Sequence, residues 1–414
     1  MNYVIIGNSA AAIGCIAGIR EIDSSGKITV ISDEPHHTYS RPLISYWLEG
    51  RVSDEKIYYR EPDFYEKNGV ETILGKKAVK IDTAKKAVVL EDGNSVPYDK
   101  LLAATGSKPF VPPMNGLDKV KYHTFMSYDS VKAIRSELKD GMRVLIIGAG
   151  LIGLKAAEAL YAHNTEITVV DMAERVLPAV LDERGAAKMK KHLEAKGVKI
   201  ILGTSGDEFS ENSVRLKNGE TVDFDMLIIA VGVRPNTELV ADAGGTVERG
   251  IITDDTQLTS LDDVYAAGDC TVSHDISSDS DKILALLPNA YLQGEVAGKN
   301  MAGQAAKYEN AIPMNAGGIL GLHMISAGSY DGEEYVEETE NTYKKLVIRD
   351  NKLVGYILMG DVRRAGIYTG IIRERLDLSE VDTELLKEKP QMMMFGKARR
   401  EEKLAGIADF GGAR

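Results

Sequence analysis

The stretch Arg143-Val144-Leu145-Ile146-Ile147-Gly148-Ala149-Gly150-Leu151-Ile152-Gly153 decides the fold of this 414-residue chain. An apolar run ends at a glycine, and two more glycines follow in the spacing G-x-G-x-x-G before a helical pattern begins. A strand, this spacing and a helix in that order are typical of a dinucleotide-binding βαβ unit. We expect Gly148 to make the tight turn, Gly150 to leave room for a pyrophosphate, and Gly153 to let the helix pack on the sheet.

The helix that starts at Leu151 and Ile152 is expected to hold the pyrophosphate at its N-terminus. Free backbone N–H groups and the helix dipole favour an anion there. The next apolar strand ends at Asp171. A carboxylate at this point accepts hydrogen bonds from both ribose hydroxyls and repels a 2′-phosphate, which favours NAD over NADP. The alternative is a glycine-rich helix start without a ligand, and the combination of strand, motif, helix and acid argues against it.

A looser copy of the same pattern opens the chain as Asn2-Tyr3-Val4-Ile5-Ile6-Gly7-Asn8-Ser9-Ala10-Ala11-Ala12. Ser9 takes the place of the second glycine and leaves less room for a pyrophosphate. Ala12 can replace a glycine that is needed only for close packing. Either Asp33 or Glu34, after the next strand, can bind a ribose. The repeat predicts an α/β fold with two Rossmann-like domains, each with a parallel sheet covered by helices.

Composition and charge exclude several classes of protein. Hydrophobic residues make up 44% and charged residues 27% of the chain, as in ordinary globular domains. The formal net charge of −12 disfavours a nucleic-acid partner. Two cysteines are too few for a disulfide-stapled fold or a multi-cysteine metal site, and we predict no metal. Without a membrane-length apolar run or a signal-peptide pattern, the chain is expected to be cytoplasmic.

The last hundred residues change pattern and predict a separate α+β domain. Residues 344–349 and 353–358 flank Asp350-Asn351, which indicates a β-hairpin. Residues 363–376 read as a helix, and the acidic stretch 331–340 is typical of a solvated hairpin edge. After Pro390 the pattern is mixed. Four cations there form either a docking site for an acidic partner or a solvated terminus: Lys397, Arg399, Arg400 and Lys403.

Three further motifs occur in order along the chain. They are Ala103-Ala104-Thr105-Gly106-Ser107-Lys108-Pro109, Ala230-Val231-Gly232-Val233-Arg234-Pro235-Asn236 and Val264-Tyr265-Ala266-Ala267-Gly268-Asp269-Cys270. With the two glycine loops, they resemble the pyridine nucleotide–disulfide oxidoreductase superfamily of two-dinucleotide flavoproteins, over residues 1–376. The resemblance implies that the first unit binds FAD and the second NAD(P)H. It also implies that Asp269 holds the ribityl and pyrophosphate region of the flavin, with Gly268, Thr105, Gly106 and Gly232 as further cofactor-binding residues.

A finer match is Tyr39-Ser40-Arg41-Pro42-Leu43-Ile44-Ser45-Tyr46. It is similar to a segment of the branch that contains rubredoxin reductases, ferredoxin reductases and the N-terminal part of nitrite reductases. In that branch the arginine and proline, here Arg41 and Pro42, lie beside the isoalloxazine ring. Disulfide reductases have a redox cysteine in this region, and this chain has none there, so we do not expect a cysteine mechanism. Cys15 and Cys270 are interpreted as packing residues.

The segment Pro288-Asn289-Ala290-Tyr291-Leu292-Gln293-Gly294-Glu295 matches a helix whose N-terminus faces the flavin in the superfamily. Asn289 and Ala290 are therefore candidate cofactor-binding residues. The resemblance also divides the chain into three domains. Residues 1–113 and 243–310 are expected to bind FAD, residues 114–242 to bind NAD, and residues 311–414 to form an interface domain that mediates dimerisation or lines the acceptor side.

Two residues depart from the pattern of this branch. Relatives usually have a lysine where this chain has Tyr46, and a glutamate where it has Lys155. In the relatives these two side chains pair near the flavin and the nicotinamide. One interpretation makes Lys155 and Tyr46 catalytic residues, with Lys155 near the hydride site and favouring reduced flavin. The other makes Lys155 a solvated helix residue and Tyr46 a cap on the ring pocket.

The resemblance predicts an FAD-dependent NADH oxidoreductase that moves electrons between NAD(H) and an iron–sulfur protein or subunit. A rubredoxin or a ferredoxin is the expected partner type, and electrons can flow in either direction. The chain is expected to form a homodimer or to belong to a larger oxidoreductase complex. Two alternatives stay open: an NADH oxidase that reduces oxygen directly, and a redox-sensing protein that binds NADH and flavin.

Overall fold

The structure, a computed structural model, describes the backbone of residues 1–409 and the side chains as far as residue 405. The final residues of the predicted interface domain, 410–414, lie outside the described residues. The chain divides into two compact units. The first comprises residues 1–273 and 281–309, and the second comprises residues 274–280 and the chain from residue 310 onward.

The first unit is of mixed α/β type. In chain order its strands are β1 (Asn2–Ile6), β2 (Lys27–Ser32), β3 (Val70–Leu74), β4 (Ala78–Asp82), β5 (Ala87–Leu90), β6 (Ser95–Pro97), β7 (Lys100–Ala103), β8 (Ser107–Pro109), β9 (Arg143–Ile147), β10 (Glu166–Val170), β11 (Lys199–Ile201), β12 (Gly206–Ser210), β13 (Ser213–Leu216), β14 (Thr221–Asp223), β15 (Met226–Ile229), β16 (Val233–Pro235) and β17 (Val264–Ala266). Its helices are α1 (Ala10–Ile22), α2 (Leu43–Leu48), α3 (Phe64–Lys67), α4 (Tyr128–Glu137), α5 (Leu151–Tyr161), α6 (Glu183–Ala195), α7 (Glu238–Asp242) and α8 (Leu287–Met301), with a 3₁₀ turn at Leu117–Lys119.

Two parallel sheets form the frame of this unit. One has the strand order β17-β7-β1-β2-β3 and the other β11-β10-β9-β15. The central strands are buried along nearly their whole length, which explains why they read as unbroken apolar runs rather than alternating ones. Small antiparallel sheets, β4-β5-β6 and β12-β13-β14, accompany them, and β8 pairs with β16. The two Rossmann-like regions predicted from the repeat are therefore present.

Helices α1 and α8 pack side by side in the same direction, with glycines at the contact. A Cβ atom on Gly294 would lie 1.9 Å from the Ala11 carbonyl oxygen, and one on Gly298 would lie 2.3 Å from that of Cys15. Only glycine permits such an approach of two backbones. The second contact lies further toward the C-terminus than the first on both helices. The two helices therefore run in the same direction, and their N-termini lie at the same end of the pair.

The second unit is built on an antiparallel sheet. Its strands are β20 (Met314–Ile319), β21 (Leu322–Gly328), β22 (Glu333–Glu338), β23 (Tyr343–Arg349) and β24 (Lys352–Met359), in the order β20-β21-β24-β23-β22. The short strands β18 (Ser273–Asp275) and β19 (Ser280–Lys282) pair where the chain passes from one unit to the other and back. The helices of the second unit are α9 (Ala365–Arg373), α10 (Thr383–Glu388) and α11 (Lys397–Asp409), with 3₁₀ turns at Leu378–Glu380 and Met392–Met394. Tyr356, Tyr368 and Leu346 lie in its core.

The predicted hairpin is confirmed, since β23 and β24 pair across a two-residue turn at Asp350 and Asn351. Both turn residues have positive φ angles, of 51° and 57°, as the tight hairpin turn requires. The acidic strand β22 lies at the edge of the sheet, as predicted.

The helix predicted over 363–376 is shorter, because Arg364 (φ 68°) and Arg375 (φ 49°) adopt left-handed backbone conformations outside its two ends. The mixed pattern after Pro390 folds into a 3₁₀ turn and α11. Among the described residues, no helix is both long and apolar enough to cross a lipid bilayer.

Candidate functional site

The glycine loop after β9 has the geometry that its spacing predicts. Gly148 has a φ of +118°, and a Cβ there would lie 2.2 Å from the Ala230 carbonyl oxygen. A Cβ on Gly153 would lie 2.0 Å from the Gly148 carbonyl oxygen, so this residue secures close packing. At Gly150 no described atom lies within 4 Å of a Cβ position. The loop therefore leaves open space at the middle glycine, where a pyrophosphate would lie.

Helix α5 points its N-terminus at this open space. Its first backbone hydrogen bond runs from the Leu154 N–H to the Gly150 carbonyl, so the amides of Leu151 and Ile152 precede the helical ladder. No acidic residue occurs in the first turn. The helix start thus suits an anion in both its hydrogen-bond donors and its charge.

Asp171 lies directly against the glycine loop. Its carboxylate accepts hydrogen bonds from the backbone N–H of Ala149, at 2.6 Å, and of Ala173, at 2.8 Å. These bonds fix the loop to the end of β10, a role that the sequence alone did not indicate. Each oxygen keeps a second lone pair, so the ribose contact predicted for Asp171 stays a prediction.

The first glycine loop shares one feature with the second and differs in another. Gly7 has a φ of +115°, and a Cβ there would lie 2.0 Å from the Ala104 carbonyl oxygen. Ser9 precedes α1 in extended conformation, at the position equivalent to Gly150, and its side chain makes no cap hydrogen bond within the described chain. Ala10 and Ala11 begin the helix, and Ala12 is fully buried, as a residue for close packing should be.

The start of α8 lies beside the start of α1. A Cβ on Gly268 would lie 3.3 Å from Ala11 Cβ and 3.5 Å from Ala290 Cβ, so this glycine joins the two helix ends. The Gly268 N–H donates to Gln293 Oε1 at 2.9 Å. Asn289 is buried, and its Oδ1 accepts from the Tyr308 hydroxyl at 2.7 Å. Two helix N-termini therefore converge at the Gly268 turn.

Asp269 follows this turn and is only partly accessible. It accepts a hydrogen bond from the Ser107 hydroxyl at 3.2 Å. Burial raises the pKa of Asp269, while the Ser107 bond and the positive charge of Arg41 act in the opposite direction. A carboxylate held in a poorly hydrated place needs hydrogen-bond donors, and the hydroxyls of a ribityl chain are donors of this kind.

Arg41, whose charge acts on Asp269, is bound to Glu34 after the end of β2. Its guanidinium donates to Glu34 Oε2 at 3.0 Å and to the Met126 carbonyl at 3.1 Å. The Tyr39 hydroxyl also donates to Glu34, at 2.9 Å, whereas Asp33 is exposed. The structure thus places Glu34, rather than Asp33, among the other candidate residues. Pro42 follows and immediately precedes α2.

The motifs that contain Gly106 and Gly232 are joined by reciprocal hydrogen bonds. The Thr105 hydroxyl donates to the Asn236 carbonyl at 2.6 Å, and the Asn236 amide donates to the Thr105 carbonyl at 2.9 Å. Both glycines have positive φ angles, and no described atom occupies the space beside them. The sequence pattern includes Asn236 in its motif but does not identify it as a residue that joins the two motifs.

A cavity of about 580 Å³ opens beside Gly232. Phe110, Arg234 and Arg249 are among the residues that line it. The Arg234 guanidinium lies 4.1 Å from the centroid of the Phe110 ring. The cavity therefore leaves room for a ligand group beside Gly232.

Tyr46 and Lys155, the two departures from the branch pattern, are brought together. The Lys155 ammonium lies 4.4 Å from the centroid of the Tyr46 ring and 3.4 Å from its hydroxyl. It also forms an ion pair with Glu158, one turn further along α5. Sequence reasoning missed Glu158, although its i, i+3 spacing from Lys155 on a helix was a usable signal.

Both cysteines are buried, and burial raises the pKa of each thiol. Cys15 Sγ lies 3.7 Å from Met301 Sδ, and Cys270 Sγ lies close to two backbone carbonyls. These surroundings agree with packing roles. The described residues contain no cluster of three or more His, Cys, Asp or Glu side chains that could hold a metal ion.

The first loop also fits a bound polar cofactor. Thr38 is fully buried, and its hydroxyl and the His37 Nε2 atom have no hydrogen-bond partner among the described residues. The Thr38 N–H donates to the Tyr65 hydroxyl, which in turn donates to Asn8 of the loop. Unsatisfied buried polar atoms beside an open loop are what the removal of a polar ligand would leave.

Comparisons with known proteins agree with this geometry. Residues 1–294 match the family model described as pyridine nucleotide-disulphide oxidoreductase, and residues 313–376 match that of the rubredoxin NAD+ reductase C-terminal domain. The chain is similar to the NADH-dependent phenylglyoxylate dehydrogenase subunit epsilon of Aromatoleum evansii, with 32% identity over 91% of this chain and 92% of that protein. It is also 30% identical to an NAD(P)H nitrite reductase of Bacillus subtilis, over 91% of this chain and 48% of that protein.

Among solved structures, the chain resembles putidaredoxin reductase in its covalent complex with putidaredoxin. The TM-score is 0.87 at 25% identity, and the match covers 94% of this chain and 96% of the other. The family model and the relative above 30% identity lead to one conclusion: the chain belongs to the pyridine nucleotide-disulphide oxidoreductase family of FAD- and NAD(H)-dependent oxidoreductases.

Proposed function

We propose that this oxidoreductase takes electrons from NADH through bound FAD and delivers them to an iron–sulfur electron carrier of the rubredoxin or ferredoxin type. The observation that carries the proposal is the presence of two dinucleotide-type glycine loops in one compact unit, in which Tyr46 of α2 contacts Lys155 of α5. FAD held by these residues would supply the redox chemistry, with N5 as the hydride acceptor and release of electrons in pairs or singly. The chain itself binds, orients and shields the two cofactors.

We propose that the FAD region comprises residues 1–113 and 243–310. In this assignment the N-termini of α1 and α8 offer backbone donors and positive dipole ends to the cofactor. Asp269 accepts from the ribityl hydroxyls, Glu34 from the adenosine ribose, and Arg41 holds Glu34 in position. The shared Gly268 turn and the Arg41 contacts support this assignment.

We propose that residues 114–242 bind NAD(H). The pyrophosphate would lie over Gly150 at the start of α5, and the nicotinamide half would extend toward Gly232. Asp171 would accept from the adenosine ribose and repel a 2′-phosphate, which favours NADH over NADPH. The open space at Gly150 and at Gly232 supports this placement of the NAD(H) molecule.

An external protein acceptor is favoured because both cysteines are buried, so neither is placed to pass electrons to a small disulfide or peroxide. The match of residues 313–376 to the rubredoxin reductase C-terminal domain points to the same class of acceptor. The solved structure of putidaredoxin reductase, captured with its redox partner, supports a docking partner for this chain as well.

The test is NADH consumption by the purified flavoprotein, first in air and then anaerobically with rubredoxin or ferredoxin added. We expect slow consumption in air and fast turnover with one of the iron–sulfur proteins. Rapid consumption in air matched by oxygen uptake would instead make the protein an oxidase. A long-lived NADH–flavin complex that no acceptor discharges would favour a redox sensor.

A further inference from the structure

The Tyr46 ring, which contacts Lys155, is flanked by two ion pairs. The Tyr46 ring lies 4.4 Å from the Lys155 ammonium and 5.0 Å from the Arg51 guanidinium, measured to the ring centroid. Each cation has a carboxylate beside it: Glu158 pairs with Lys155, and Glu49 pairs with Arg51 at 3.4 Å. A π-face attracts one cation, and a second cation near the same ring is tolerated when carboxylates offset the repulsion.

The two ion pairs differ in burial. The side chains of Lys155 and Glu158 are 21% and 10% exposed, whereas that of Arg51 is 61% exposed. Charges in a poorly hydrated place interact over longer distances than solvated ones, because water screens them less. A change in the net charge of the Lys155–Glu158 pair should therefore affect neighbouring groups more than a change in the Arg51–Glu49 pair.

The position of this pair relates it to both proposed cofactor sites. Lys155 lies on α5 just after the second glycine loop, and Tyr46 lies on α2, four residues after Pro42. Arg41, on the other side of Pro42, lies close enough to Asp269 for its charge to influence the pKa of that carboxyl. The contact thus joins α5, which follows the loop assigned to NAD(H), to α2, which follows the Arg41–Pro42 segment assigned to FAD.

We propose that Glu158 is a positioning and charge-balancing residue, which holds Lys155 against the Tyr46 ring and offsets its charge beside the flavin. This inference rests on the proposed function, because it assumes FAD in the first loop. The carboxylate keeps the net charge of the pair near zero. Removing one partner leaves an unbalanced charge, and the two single substitutions leave charges of opposite sign.

The test is the midpoint potential of the bound flavin in four holoproteins: wild type, Glu158→Gln, Lys155→Met and the double variant. Glutamine keeps a hydrogen-bond acceptor for Lys155 and removes only the charge. An extra positive charge stabilises the electron-rich reduced state, so Glu158→Gln should raise the potential. Lys155→Met should lower it. We expect each shift to correspond to about a tenfold change in the two-electron equilibrium, about 30 mV.

The double variant separates this proposal from a structural role. In this variant neither residue of the Lys155–Glu158 pair carries a charge. The midpoint potential of its flavin should therefore return close to that of the wild type. Damage to the fold would move both single variants in the same direction and would add up in the double variant. Glu194→Gln is the matched control. It removes a glutamate from the Lys190–Glu194 pair on α6, whose side chains are 40% and 46% exposed, and should leave the potential unchanged.

Potentials that stay at the wild-type value in both single variants, or shift in the same direction, would overturn the proposal. Reduction of the wild-type flavin by NADH is measured in the same samples. If NADH reduces the wild type and the charge variants do not shift, the role of Glu158 is wrong and the proposed function stands. If NADH fails to reduce the wild type, the proposed function itself fails.

Discussion

The two glycine loops have the same first turn and different second positions. At Gly7 and Gly148 a side chain would collide with a backbone carbonyl, and both glycines have φ angles near +115°. At the second position one loop has open space at Gly150 and the other has the side chain of Ser9. The comparison teaches that the first position of the motif serves the fold, and that the second serves the ligand.

The largest effect should come from the first position. We expect Gly148→Ala to lower the free energy of unfolding by at least about 2 kcal/mol, because the new Cβ meets the Ala230 carbonyl and φ is unfavourable. Gly150→Ala adds the same atom in open space, so it should cost at most about 1 kcal/mol, the scale of a helix-cap change. Urea unfolding of both apoproteins measures this. Equal losses would contradict the division of roles.

Ligand binding should show the reverse order. We expect Gly150→Ala to weaken NADH binding about tenfold, because the methyl group enters the space assigned to the pyrophosphate. Its FAD content should stay at the wild-type level. Ser9→Gly, the converse change in the first loop, should leave the NADH dissociation constant unaltered. Titration of NADH against each holoprotein provides the values, and an unchanged dissociation constant in Gly150→Ala would remove NAD(H) from this loop.

The two acids that follow the first loop and β2 give a smaller contrast. Glu34 is held by Arg41 and Tyr39, whereas Asp33 is exposed. We expect Glu34→Ala to raise the dissociation constant of FAD about fivefold to tenfold, the scale of the net contribution of one ordinary hydrogen bond. Asp33→Ala is the matched control and should retain FAD as the wild type does. Loss of FAD in the control and not in Glu34→Ala would reverse the assignment.

The smallest effect concerns the pH dependence of the apoprotein. Burial raises the pKa of Asp269 in the folded state. Its contribution to stability is therefore full below the pKa of an unfolded aspartate, about 3.9, and is lost as pH rises through the folded value. Apo Asp269→Asn should be more stable than the wild type at neutral pH, with the difference disappearing near pH 3. A difference that grows on acidification would contradict the raised pKa.

The sequence predicted the features that depend on local pattern. The backbone geometry at Gly148, Gly150 and Gly153 followed from spacing alone, and the turn at Asp350-Asn351 followed from two residues that tolerate positive φ angles. Such features can be predicted without knowing distant contacts, because they depend on the residue type at one position and on its neighbours in sequence.

The missed features depend on partners distant in sequence. Asn236 bonds to Thr105 from 131 residues away, and Gln293 of α8 accepts the Gly268 N–H from 25 residues away. The basic tail is another case, because Arg399 and Lys403 both pair with Glu374 and are thereby tied to α9 through its C-terminal end. Tertiary pairing of this kind leaves no periodic trace in one sequence.

The most direct test of the central claim, that the two loops cooperate, is an anaerobic titration of the purified flavoprotein with NADH. The visible absorbance of the flavin is followed as NADH is added. We predict that one equivalent of NADH per FAD bleaches the flavin, and that the same titration of Gly150→Ala requires a large excess. A flavin that stays oxidised with excess NADH would contradict the account, because the two loops would then not serve one reaction.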